Sequence, residues 1–140
     1  EDIIELIKSR VDLKDSFIIA FEGTSYGSSS GTNNIIDMAA GAAILKLRLI
    51  ETFNPILMET VAPSSIKKFA GKGNMKKDEL WIKFLENVNN DSDLENSSLL
   101  KYCKDAIGIV KKVPKPLDDI VDAYFLNGLS KELYNKKESL

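Results

Sequence analysis

Apolar residues follow two rhythms along this chain, the spacing of amphipathic helices and the unbroken short runs of buried strands. In residues 1–11, Ile3, Ile4, Leu6, Ile7 and Val11 recur at helical intervals, with acids first and Lys8 and Arg10 last. That spacing predicts a surface helix, and the charges complement its dipole. After a polar connection at 12–15, Ser16, Phe17, Ile18, Ile19, Ala20, Phe21 and Glu22 predict a strand. Its five consecutive apolar residues predict cover on both faces, as in a parallel sheet flanked by helices. Residues 56–61 predict a second strand after the helix-ending Asn54-Pro55. Between the strands a helix is expected from a cap at Asn33 or Asn34, with Asp37 in its first turn, to about Thr52. Strand, helix and strand then form a right-handed parallel crossover.

The pattern continues in helices. Pro63, Ser64 and Ser65 start a short helix through Phe69. Residues 76–86 predict an amphipathic helix with Leu80, Trp81, Phe84 and Leu85 inward. Residues 87–98 are polar and acidic and read as a loop, and 99–110 as a weak helix. A basic, proline-punctuated linker at 111–116 leads to the last helix, whose charged tail from Ser130 onward is expected to fray.

The last helix raises the chemical question. Pro116 precedes Leu117, Asp118, Asp119, Ile120, Val121 and Asp122, and the residues after Asp122 are apolar almost all round. Asp119 and Asp122 share a helix face. Acids in a first turn serve as caps, which suits Asp118 best and Asp122 least. A carboxylate on a buried helix otherwise needs a partner, a hydrogen bond or a metal ion. Glu22 ends the first strand, where open α/β sheets place their ligand sites. The loop at 23–32 is rich in glycine and serine, with Tyr26 its lone aromatic, and matches neither common phosphate-loop pattern. Lys67, Lys68, Lys72, Lys76 and Lys77 cluster without an intervening acid around Gly71 and Gly73. Such a cluster is either a solvated face or a phosphate-binding edge.

Composition narrows the chemistry. With 140 residues the chain is one domain's worth. A net charge of −2 gives no global sign of a nucleic-acid binder, so any such argument rests on local patches. The absence of histidine excludes Ser-His-Asp and Cys-His catalysis within the chain, and any histidine-ligated metal. Metal chemistry would use oxygen ligands and hard cations such as Mg²⁺ or Mn²⁺. The single cysteine, Cys103, forms no internal disulfide and reads as a small core residue. No apolar run approaches the roughly 20 residues of a membrane span. The small-residue helix around 34–52 is apolar on more than one face. It is either buried within one subunit or shared between a sheet and a second copy.

Taken in order, "FIIAFEG", "AAGAAILKLRL", "VAPSSIKKF", "GKGNMKK" and "DDIVDAYFL" resemble RuvC-type Holliday-junction resolvases of the RNase H-like superfamily, the phage versions above all. The resemblance covers nearly the whole chain and rests on order and spacing, since each motif alone is weak. It implies one α/β RNase H-like domain over 1–140, a mixed sheet flanked by helices. It implies a crossover junction endodeoxyribonuclease that hydrolyses branched DNA with two Mg²⁺ or Mn²⁺ ions. Glu22, Asp119 and Asp122 match three of the family's four metal-binding carboxylates, and Lys77 is the lysine expected beside the reacting phosphate. Lys67, Lys68, Lys72, Lys76 and Lys77 would hold the DNA backbone, and Tyr26 would stack on or wedge a base. Further expectations are a four-way-junction substrate, a homodimer through the 34–52 helix, no membrane, and the cytoplasm of a bacterial host if phage-encoded. The chain departs from the family in lacking the first-strand Asp and the opening antiparallel strands. The expected explanation is roughly 40 upstream residues outside this sequence, by analogy of fold. The alternatives are a partner that completes the sheet, a non-catalytic binding or assembly module, or a same-fold nuclease with another DNA or RNA substrate.

Overall fold

A computed structural model describes residues 2–23, 32–91, 101–102, 113 and 115–139, with the side chains of 32–35 excepted. In chain order the elements are α1 (Ile3–Lys8), β1 (Ile18–Glu22), α2 (Thr32–Phe53), β2 (Leu57–Val61), α3 (Pro63–Ala70), α4 (Lys77–Asn89) and α5 (Leu117–Glu138). The described part of the fold is mixed α/β. Its sheet has two parallel strands, paired Ile18 to Leu57 through Glu22 to Val61.

Strand alternation assigns the layers. Phe17, Ile19, Phe21 and Met58 pack with Ile4, Ile7, Leu45, Leu49 and Phe53, so α1 and α2 cover one face. On that face Lys46 of α2 donates to Thr60 Oγ1 at 2.8 Å. The other residues of each strand, Ile18, Ala20 and Glu22 with Leu57, Glu59 and Val61, turn to α5, which packs on β1. Lys137 of α5 confirms the direction by reaching Glu59 at 2.6 Å. The expected two-sided cover of β1 is present, yet Ile18 to Phe21 are only half-buried and Glu22 is exposed. One edge has no strand partner among the described residues.

The larger core lies under α3, α4 and α5, where Val61, Ile66, Leu80, Phe84, Val88, Leu117, Val121 and Phe125 meet. Phe84 and Phe125 are wholly buried, each contributing roughly 2–3 kcal/mol by area. Tyr124 bridges them, with ring centroids 5.1 Å from Phe84 and 5.3 Å from Phe125.

Several boundaries differ from expectation, each for a local reason. Helix α1 stops at Lys8, because Ser9 Oγ donates back to the Leu6 carbonyl at 2.7 Å and the chain tightens. Helix α2 begins at Thr32, which moves Asp37 out of its first turn. It ends where Asn54 takes a left-handed φ of 42°. Helix α4 runs to Asn89, since Val88 adds a third buried position to Leu80 and Phe84. The tail does not fray. Helix α5 continues to Glu138, held by a Lys136–Glu132 pair, the Lys137–Glu59 pair and Leu133 against the core. Helix α5 is also not apolar all round: Asp119, Ala123, Asn127 and Lys131 are exposed. Cys103 and most of 99–112 lie outside the described residues. No helix among the described residues is long and apolar enough to cross a membrane.

Candidate functional site

Glu22 is the last residue of β1, and the ladder continues one step beyond it. Gly23 N–H donates to the Val61 carbonyl at 2.7 Å. A Cβ at position 23 would lie 3.3 Å from that oxygen, so glycine allows the close approach that fixes Glu22 at the strand end. The carboxylate points to the α5 side, where Asp122 and Asp119 stand.

These carboxylates sense each other. Glu22 is exposed overall, yet it holds its proton to higher pH than an ordinary carboxyl, first through partial desolvation and then through repulsion by Asp122 and Asp119. Lys67 and Lys77 oppose that rise. Asp122 is raised in the same direction, again chiefly by burial, with Lys77 and Lys67 countering and Asp118 and Asp119 adding. The strand end, the last helix and two lysines from α3 and α4 thus act on one another electrostatically, although they are far apart in sequence.

Asp118 has a different part from the expected cap. It is only 7 % exposed and accepts from Lys77 Nζ at 2.5 Å. Its other oxygen accepts from the Asp119 N–H at 3.0 Å. The Lys77 hydrogen bond holds Asp118 below the usual carboxylate range, and the same bond raises Lys77. The most buried acid of the helix is thus Asp118, whereas Asp122 is half-buried and Asp119 exposed beside Lys115. The i, i+4 spacing of Asp118 and Asp122 places both on one face, but nothing in that spacing signals the burial of Asp118 or its pairing with Lys77. Lys77, Leu80, Val113, Asp118, Val121 and Asp122 line a cleft of about 10 Å³, about the room of one water.

Not every candidate joins the cluster. Lys72 pairs with Glu79 at 2.8 Å, and Glu79 caps α4 by accepting from the Lys76 N–H at 2.8 Å. Lys76 is exposed, and Lys68 lines a separate groove with α5. Tyr26 and the rest of its loop to Gly31 lie outside the described residues. Oxygen donors carrying incompletely neutralised charge suit a hard divalent cation. Among the described residues, however, no three acidic, histidine or cysteine side chains form a ready-made metal-holding group.

Comparison with protein-family models, with curated proteins and with solved structures finds no match.

Proposed function

We propose that the chain is an RNase H-like domain of a metal-dependent endonuclease for branched DNA, of the RuvC type that its motifs resemble. One observation carries this reading: the charges of Asp122 and Asp119 on the last helix, and of Lys67 and Lys77, act on Glu22 at the end of a parallel strand. Phosphodiester hydrolysis without histidine needs such an oxygen-rich cluster. Glu22 and Asp122 would hold Mg²⁺ or Mn²⁺, with Asp119 at the rim. A bound pair of cations supplies an activated water and neutralises charge at the phosphate. Asp118 fixes the Lys77 ammonium at the edge of the cluster, where it can meet a phosphate oxygen. Lys67, Lys68, Lys72 and Lys76 extend the basic edge, and such contacts position a backbone without reading sequence.

The edge of β1 without a strand partner among the described residues supports a fold that receives further strands, which would also bring the family's fourth carboxylate. The exposed Ile36, Met38, Ile44, Leu47 and Ile50 of α2, each 45–63 % accessible, support a dimer through this helix. A twofold pair would cut symmetry-related strands of a junction. In this reading the protein works in the cytoplasm, that of a bacterial host if phage-encoded. A second reading is a non-catalytic DNA-binding module of the same fold, since the resemblance leaves the family's first-strand Asp without a counterpart.

The test is cleavage of an end-labelled four-way junction with Mg²⁺ or Mn²⁺, beside a linear duplex, by this chain and by the chain extended upstream. Paired symmetric nicks on the junction alone are expected from the extended chain. Binding without cutting by either form would overturn the endonuclease reading in favour of the module.

A further inference from the structure

A second site lies between α3 and α5, built from residues the carboxylate cluster does not use. Ser65, Lys68 and Phe69 of α3 face Leu129, Glu132 and Lys136 of α5 across an open groove of about 450 Å³. That volume falls within the roughly 300–1,000 Å³ of ligand sites. Phe69 is 39 % exposed, unusual for a large ring at the end of a helix that buries Ile66 and Ala70. Its position is set from behind. A Cβ on Gly128 would lie 2.8 Å from Phe69 Cε1 and 3.0 Å from Cζ, so the ring rests on the bare backbone of α5. An apolar ring used only for packing would turn inward. This one is backed by a helix and open to the groove.

The groove's charge favours an anion. Among the described residues no carboxylate pairs with Lys68. Glu132 is the one acid in the lining, and Lys136 pairs with it. A wall lysine on each helix and an aromatic ring supported by the α5 backbone match how unpaired nucleic acid is held. Bases stack on aromatic side chains while cations track the phosphates. We propose that the α3–α5 groove binds a single-stranded nucleic-acid segment, a base stacking on Phe69 and adjacent phosphates meeting Lys68 and Lys136. The choice of nucleic acid as ligand rests on the DNA reading above; Lys68 is shared with the basic edge proposed there, whereas Phe69 and Lys136 belong to the groove alone. The strands that open at a branch point would supply such a segment.

Fluorescence anisotropy of dye-labelled oligothymidylate, in EDTA and with the whole chain, tests this without metal or cleavage. Phe69→Leu keeps an apolar side chain on Gly128 but removes the aromatic face. It should weaken binding about tenfold, and Phe69→Tyr should restore it. Lys68→Gln with Lys136→Gln should lower the slope of log affinity against log salt by about 1.4, at roughly 0.7 per contact on single strands. Glu132→Gln should tighten binding. Absence of binding by the wild-type chain, or equal binding by Phe69→Leu, overturns the proposal. Junction cleavage is assayed on the same proteins. Cutting with Phe69→Leu and wild type binding alike sinks the groove and spares the endonuclease. Loss of oligothymidylate binding in Phe69→Leu, with no form cutting a junction, does the reverse.

Discussion

Gly128→Ala separates two opposing effects whose sizes can be worked out. Position 128 lies inside α5, where alanine is favoured over glycine by about 1 kcal/mol. At an open helix site the substitution would stabilise the protein by about that much. Here the new methyl group would come within 2.8 Å of Phe69 Cε1. Packed carbons prefer about 3.5–4.0 Å, so the ring must retreat by roughly 0.7 Å or more. Overpacking of this kind costs about 1–3 kcal/mol, and a partly exposed ring that can yield belongs at the lower end. The two effects leave the protein unchanged or destabilised by about 1 kcal/mol. In a Phe69→Ala background the clash is gone and only the propensity gain remains, so Gly128→Ala should stabilise by about 1 kcal/mol. Urea unfolding of the four proteins measures the coupling, expected at about 1–2 kcal/mol with unchanged m-values. If Gly128→Ala stabilises both backgrounds equally, the ring does not rest on the helix and the account of the groove falls with it.

The acidic cluster gives three further expectations. Glu22 and Asp122 have raised carboxyls, so each favours the fold below the ordinary carboxylate range and loses that contribution as pH rises through its elevated value. Glu22→Gln with Asp122→Asn should therefore be more stable than wild type at pH 7. The gap should close near pH 4 in thermal melts, and Asp122→Asn alone should end junction cleavage while sparing binding. Asp118 is lowered, so its contribution has the opposite sign, being present above the ordinary range and lost in acid. Because Lys77 is 63 % exposed and screened by solvent, Asp118→Asn should cost only about 1 kcal/mol at pH 7 by denaturant midpoint. Lys67→Ala with Lys68→Ala should weaken junction binding and flatten its salt dependence, and an unchanged slope would place the DNA elsewhere.

Much of the order of elements was readable because periodicity and punctuation agree. The run from Phe17 to Phe21, the Asn54-Pro55 stop and the Pro63 start each carry a local steric or burial reason, and β1, β2 and α3 fall where these place them. The convergence of Glu22 with Asp119 and Asp122 was expected only through resemblance, since spacing within one helix says nothing about a distant strand. What sequence could not supply was competition between neighbours. Asp118 looked like a cap because its position suits one. Its burial follows from Leu117 and Val121 entering the core on either side, and only the fold brings Lys77 to it. The tail looked free because Lys131, Lys136 and Lys137 are charged. It stays helical because Glu59, on a strand 78 residues earlier, reaches Lys137. Phe69 could not be distinguished from a core residue without Gly128 beside it.

The charges on α5 separate structural acids from those that ask for a ligand. Asp118 and Asp119 each have a lysine, at 2.5 Å and 3.4 Å, as acids used for capping or solubility commonly do. Glu22 and Asp122 have no ion pair within 4.0 Å among the described residues, and they repel each other. A sequence selected for folding alone would place Asn or an apolar residue at 122, since Val121 and Phe125 beside it already enter the core. Two acids that work against the fold at one point are better explained by something that binds there than by the stability of the chain. The lysines agree with that division: Lys77 is hydrogen-bonded to Asp118, and its charge only partly offsets the rise of Glu22 and Asp122.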